Sequence, residues 1–227
     1  MPVKLVSITH PLLESEMTPE EFIVYIARVS NPSNQMNMET APRLINYLIK
    51  HKHWSPFEFV DLTVDITTRR SIAAQILRHK SFSFQEFSQR YSSATNIQEI
   101  ELRKQAEKNR QSSAEQFDPV LFTTPDGNYN DDTKRASECV SDFLEASMKL
   151  YSQLISAGVA REVARDILPL ATETRLYIKG SIRSWIHYLE LRTAEDTQKE
   201  HRDIANAVKN IFVQNFPNIA EALNWKT

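Results

Sequence analysis

Apolar and polar positions recur along this chain with two different periods, and the changes of period mark its elements. TPEE at 18–21 opens a helix, with Thr18 as cap, Pro19 in the first turn and Glu21 reaching back, before Phe22, Ile23, Tyr25 and Ile26. A second helix is predicted from about Pro42 through His51, with Leu44, Ile45 and Leu48 inward. In FVDLTVDITT, Leu62, Val64 and Ile66 alternate with Asp61, Thr63 and Asp65, the period of a strand with one buried face. RSIAAQILRH then returns to helical spacing. Residues 81–102 read as extended, with Phe82 and Phe84 alternating against Ser81 and Ser83, and Ile97, Ile100 and Leu102 further on.

From Lys104 to Asp132 the chain is polar and carries the turn signals DP, TPDG and NYND, so about 104–132 reads as a long loop excursion and a candidate flap. A long helix is predicted from about Asp132 to Ala157, with Val140, Phe143, Leu144, Tyr151, Leu154 and Ile155 at helical intervals and Gly158 as its stop. A short helix in VAREVARDIL ends before Pro169, 172–178 reads as a strand, SIRSWIHYLELR as a helix, and 195–215 as a last long helix before Pro217. Helices outnumber strands without a regular βαβ repeat. The expected class is α+β, with helices packed on a small antiparallel sheet in a single domain spanning 1–227.

Composition narrows the chemistry. Lys and Arg number 27 against 29 Asp and Glu, a net charge of −2, so no global basic field draws the chain to nucleic acid or an anionic membrane. No apolar run approaches the roughly 20 residues of a membrane span, and MPVKLVSITH lacks the pattern of a signal peptide, so a cytoplasmic protein is expected. The lone Cys139 excludes an internal disulfide framework and a cysteine-rich metal site, and its amphipathic setting reads as a partly buried structural thiol. Only three glycines occur, at 127, 158 and 180, so neither the dinucleotide fingerprint nor a P-loop is present. A bound nucleotide would have to be held by arginines.

Cations gather locally in RHKSFSFQEFSQRY, 78–91, where Arg78, His79, Lys80, Glu86, Ser88 and Arg90 stand among four aromatic rings. With helical spacing, Ser71, Gln75, Arg78 and His79 fall on one side, either a solvated helix end whose cations complement the dipole or the edge of an anion site. Arginine suits phosphate because its planar fork donates two parallel bonds. In VAREVARD, Arg161 and Arg165 are neighbours, with Glu162 and Asp166 beside them; a mixed surface face and an anion site both account for this. In SIRSWIHYLELR, Arg183, His187 and Glu190 share a polar side, and Arg192 lies near the apolar edge beside Trp185, where an arginine needs a buried partner. HKHWSPFE adds His51, His53, Ser55 and Glu58, but six scattered histidines without HExxH predict no metal site.

RHKSFSFQEFSQRY resembles the signature of flavin-dependent thymidylate synthases, Arg-His-Arg followed by seven residues and Ser, here Arg78, His79, Lys80 and then Ser88. HWSPFE, QILRH, KNRQSS, GVAREVARDILP and SIRSWIHYLELR are similar to further segments of that family. The resemblance implies methylation of dUMP to dTMP, with methylenetetrahydrofolate as carbon donor and NADPH as reductant. It also implies a homotetramer with FAD at subunit interfaces. Carried over, FAD would be contacted by Ser55, Arg78, His79, Lys80, Glu86, Ser181, Arg183 and His187. The nucleotide would be contacted by Gln75, Arg78, Glu86, Ser88, Gln89, Arg90, Arg165 and Arg192, and His53 would lie near the folate or nicotinamide.

Arg192 is the implied catalytic residue, stabilising negative charge on the uracil so that C5 becomes the nucleophile. Reduced flavin would then supply the hydride. Ser88 is assigned to phosphate rather than to nucleophilic attack, because no activating Ser-His-Asp arrangement is legible. Two positions depart from the family. Lys80 stands for the signature's second Arg and loses the bidentate fork, and His187 stands where some members carry an amide. Competing readings are a flavin-binding oxidoreductase of the same fold without methyltransferase activity, and a nucleic-acid-binding module that stacks bases on the Phe rings.

Overall fold

The computed structural model describes residues 3–13, 16–93, 96–122 and 133–225. Its strands are β1 (Val3–Ile8), β2 (Asp61–Arg69), β3 (Ser83–Glu86), β4 (Arg103–Gln105), β5 (Ser113–Gln116), β6 (Val120–Phe122), β7 (Thr133–Arg135) and β8 (Glu173–Ser181). Its helices are α1 (Pro19–Ala27), α2 (Ala41–Lys50), α3 (Arg70–Ile76), α4 (Ala136–Ser156), α5 (Arg161–Ala164), α6 (Ile182–Arg192), α7 (Lys199–Asn215) and α8 (Pro217–Ala222). This is a mixture of helices and small sheets, as the α+β reading expects. None of the helices among the described residues is long and apolar enough to cross a membrane.

The chain forms two compact units, one drawn from 1–66, 76–85 and 176–227, the other from 67–75 and 86–175; the division falls within β2, α3, β3 and β8. The first unit holds β1 and most of β2, β3 and β8, strands of a four-stranded sheet in the order β1-β2-β8-β3. β1 runs antiparallel to β2, with Val3 opposite Ile66 and Ile8 opposite Leu62. The alternation read in β2 is realised, because Leu62, Val64 and Ile66 are fully buried. Thr18 caps α1 with the reciprocal Glu21 bond that TPEE predicts. α6 packs on α7, and α2 against α8. Trp185 of α6 is fully buried and donates its indole N–H to the Leu62 carbonyl at 2.9 Å, so its one polar atom is satisfied. With Ile23, Ile45, Phe57 and Phe212, all buried, it forms a core in which each side chain contributes about 1.5–3 kcal/mol.

In the second unit, α4 buries Tyr151 against Ala164, with Met148, Leu154, Ile155, Val159 and Leu168 around them. Gly158, at φ +90°, ends α4 in the left-handed conformation expected of a helix stop. The helix starts at Ala136 rather than near Asp132. Residues 133–135 pair as β7 with β6, and Asp118 accepts from the Ser137 N–H (2.8 Å) and hydroxyl (2.7 Å), fixing the first turn there. In and beside the stretch read as a loop excursion, β5 pairs with β4 and β6 pairs antiparallel with β7. TPDG and NYND lie outside the described residues.

Other boundaries move for local reasons. α3 stops at Ile76, and turns in which the His79 N–H bonds to the Ile76 carbonyl and the Phe82 N–H to the His79 carbonyl replace its last expected helical turn. Arg78 and His79 therefore do not continue the helical face of Ser71 and Gln75. The extended stretch expected over 81–102 is a strand only at 83–86. β1 and α8 are elements that the periodicity did not announce: β1 buries only Val3, so it shows no alternation, and α8 restarts helix at Pro217, with Pro in the first turn.

Candidate active site

In the first unit, the tight 3₁₀ turn Ser55–Glu58 brings a carboxylate to the N-terminus of α6. Glu58 accepts from the Ser181 hydroxyl at 2.5 Å and from Arg183 Nη1 at 2.9 Å. Ser181 also caps α6 by accepting from the Ser184 N–H, and the Ser184 hydroxyl donates to the Ser81 carbonyl at 3.3 Å, which ties the segment after Lys80 to the same helix end. One turn on, exposed His187 stands edge-on to Trp54 with ring centroids 5.1 Å apart. His53 is exposed beside Tyr47 and His51, at centroid distances of 5.9 and 6.1 Å. The polar side read for α6, with Arg183, His187 and Glu190 outward and Ile182, Ile186 and Leu189 buried, is the one observed.

At the other end of α6, Arg192 finds the partner its position demanded. Its Nε donates to His79 Nε2 at 3.0 Å. A permanently charged donor at Nε2 requires a neutral imidazole with its proton on Nδ1. Burial, and then the Arg192 charge, hold the His79 pKa below its ordinary value, which keeps the ring in that form. The bond uses Nε and leaves the two Nη groups of Arg192 without a protein partner among the described residues. Beneath His79 lie Tyr188 of α6 and His201 of α7, joined by a 3.0 Å bond between hydroxyl and Nε2. Burial raises the Tyr188 pKa, and burial followed by the nearby Arg192 and His79 lowers that of His201 to about 4.

In the second unit, Glu86 at the end of β3 accepts from the buried Thr174 hydroxyl at 2.9 Å and faces Arg70 at 3.6 Å. The chain then turns at 89–92, with the Tyr91 and Ser92 N–H groups both bonded to the Ser88 carbonyl. Gln89 is buried, and its Nε2 is an orphan donor among the described residues. Such a group is expensive and calls for an explanation. Arg90 is exposed and has no protein partner among the described residues. Arg165 is half spoken for, bonding to the Glu162 carbonyl at 3.2 Å with Asp166 at 3.9 Å, while Arg161 reaches the Ser93 hydroxyl at 3.3 Å. Gln75 lies partly buried near the end of α3.

The residues named from sequence are divided between the two units. Ser55, Arg78, His79, Lys80, Ser181, Arg183, His187, Arg192 and His53 belong to the first, and Gln75, Glu86, Ser88, Gln89, Arg90 and Arg165 to the second. Sequence reasoning left three contributors without a role: Glu58, Tyr188 and His201. Glu58 was visible in HWSPFE, but its partners lie 123 and 125 positions away, so nothing local announced the pairing. Tyr188 and His201 read as ordinary members of amphipathic helices. Among the described residues, no three His, Cys, Asp or Glu side chains converge as a metal would require.

Comparison with known proteins places this geometry in a family. Residues 11–218 match the family model described as thymidylate synthase complementing protein. A probable flavin-dependent thymidylate synthase of Paramecium bursaria Chlorella virus 1 is 50% identical over 226 residues, covering 99% of this chain and all of the relative. The flavin-dependent thymidylate synthase of a Synechocystis species is 48% identical, covering 99% of this chain and all of its own, and one from Thermus thermophilus is 32% identical over 90% of this chain and 72% of its own. With matches that run essentially from end to end, the chain belongs to the flavin-dependent thymidylate synthase family.

Proposed function

We propose that this protein is a flavin-dependent thymidylate synthase that converts dUMP to dTMP, with FAD as the flavin, methylenetetrahydrofolate as carbon donor and NADPH as reductant. Identity of 48–50% over the full length to proteins of that name carries the reading. The donor chemistry of the structure fits it. Arg78 and Lys80 are exposed cations without protein partners among the described residues, next to a helix end organised by Glu58, and they suit the diphosphate of a dinucleotide. In the other unit the orphan Gln89 Nε2 and the unpartnered Arg90 suit a phosphorylated base.

Under this reading, Ser55, Arg78, His79, Lys80, Glu86, Ser181, Arg183 and His187 hold FAD, with His53 near the folate or nicotinamide. Gln75, Arg78, Glu86, Ser88, Gln89, Arg90, Arg165 and Arg192 hold dUMP. Bound flavin supplies the hydride that completes the methyl group. Arg192 offers its two Nη groups to the uracil and stabilises the negative charge that develops as C5 attacks the one-carbon unit, an effect worth about 10²–10³ in rate for a single well-placed donor. Because His79 already occupies Nε, the guanidinium cannot turn freely when that charge appears, so the stabilisation needs little reorganisation. We further propose a homotetramer, in which association would cover apolar side chains such as Phe143 and Leu150, exposed on α4.

The test is reconstitution. The purified protein mixed with FAD should retain a yellow chromophore through gel filtration, elute at four times the chain mass and bind dUMP. A colourless protein after such treatment would refute the assignment.

A further inference from the structure

Tyr188 sits on the buried side of α6 between Trp185 and Leu189, where a phenylalanine would fill the same space. Its hydroxyl obliges a fully buried histidine, His201 of α7, to serve as its partner. A polar pair in such a place gains little net stability, since each group has given up water to make the bond, whereas either one left alone costs about 1–3 kcal/mol. The position of the pair suggests what it does. The His79 ring packs against Tyr188 at 4.9 Å and 81° and faces His201 at 6.3 Å and 84°, with Phe82 at 6.5 Å. The His79 imidazole is the group that fixes Arg192 through Nε.

We propose that the buried Tyr188–His201 pair is a positioning device, which locks the His79 ring in the orientation where Nε2 accepts from Arg192, so that both Nη groups of Arg192 face the reacting nucleotide. The inference rests on the role given to Arg192 above. Neither Tyr188 nor His201 touches a reactant; both act through His79. His79, Tyr188, His201 and Arg192 are titratable or charged groups linked along this chain of residues, and the network needs both imidazoles neutral. Burial favours the neutral form of each, with the Arg192 charge adding to it. The hydrogen bond between Tyr188 and His201 restrains both rings, and the Tyr188 ring in turn restrains His79. Replacing the pair by apolar residues would free the His79 ring to turn, which would release Arg192 Nε.

Tyr188→Phe and His201→Leu, each prepared as flavin-loaded protein, test this directly, with His201→Gln as the variant that keeps a partner for the hydroxyl. The expected result is a fall in kcat of about tenfold or more in the first two, a KM for dUMP changed by less than about threefold, flavin content unchanged, and substantial recovery in His201→Gln. The double variant should be no worse than either single one, because the pair acts as a unit. Nitrogen NMR of selectively labelled histidine adds a readout that needs neither turnover nor a variant: wild-type His79 should carry its proton on Nδ1 near neutral pH. Unchanged kcat with a lowered melting temperature would make the pair merely structural and overturn the proposal. Wild-type His79 found charged, or protonated on Nε2, would overturn it even if the variants fail to fold. Wild-type turnover tests the functional reading, and the ratio of variant to wild type tests this one.

Discussion

Gly180→Ala isolates the packing that carries the site. Gly180 lies in β8 directly against Phe82, and a Cβ placed there would come within 2.6 Å of Cε1 and nearer still to Cδ1. Carbon atoms in ordinary contact sit at about 3.5–4.0 Å, so the ring must retreat by about 1 Å. It has little room, because Phe82 is 9% exposed and is boxed by Trp185 at 4.6 Å and Tyr188 at 5.6 Å between ring centroids. Overpacking of this kind costs about 1–3 kcal/mol, and at about 2–4 °C per kcal/mol for a chain of this size the melting temperature should fall by several degrees. Urea melts with circular dichroism measure the loss. Phe82→Leu in the Gly180→Ala background relieves the clash, so a double-mutant cycle should show a coupling of about 1 kcal/mol or more between the two sites. Gly180→Ala with wild-type stability, within about 0.5 kcal/mol, would refute the packing described, because surface-like substitutions produce changes of that size.

Four further outcomes are expected. Arg192→Ala should abolish dTMP formation while leaving much of the flavin bound, and Arg192→Lys should not rescue it, since an ammonium cannot bond His79 and present a fork together; turnover assays and the flavin absorbance decide. Glu58→Ala should change stability by less than about 1 kcal/mol, because Glu58 and Arg183 are 42% and 43% exposed, yet should lower flavin retention on gel filtration by freeing Ser181 and Arg183. His201 is held at about 4 in the folded protein against 6.5 ordinarily, so the unfolded chain takes up its proton first and stability falls as pH drops through that window. The loss is on the order of 2 kcal/mol between about pH 6.5 and 5, and urea melts of His201→Gln should show a flatter pH dependence there than wild type. Gln89→Leu removes the orphan amide, so it should leave the folded protein no less stable in urea while weakening dUMP binding by about tenfold in calorimetry.

What could be read from the sequence was whatever local pattern decides. The Thr18–Glu21 cap, the alternation in β2, the stop at Gly158 and the two sides of α6 each depend on residues within a few positions of one another, and each is found as expected. Elements decided by distant partners were missed or misplaced. β1 is held as a strand by its register with β2, not by any alternation of its own. α3 ends a turn early, where the chain turns back to place His79 beside Arg192, 113 residues away, and Phe82 against Gly180. The start of α4 is set by Asp118, 19 positions before Ser137. The site divides in the same way: the signature named Arg78, His79, Ser88 and Arg90, while Glu58, Tyr188 and His201 acquire roles only through contacts that a one-dimensional reading cannot display.

The assignment is decided by formation of dTMP from dUMP by the purified protein given methylenetetrahydrofolate and NADPH, with the flavin removed and then restored. Product that disappears with the flavin and returns with added FAD is the predicted result. Flavin-loaded protein that forms no dTMP, or apoprotein that forms it equally well, would contradict the account.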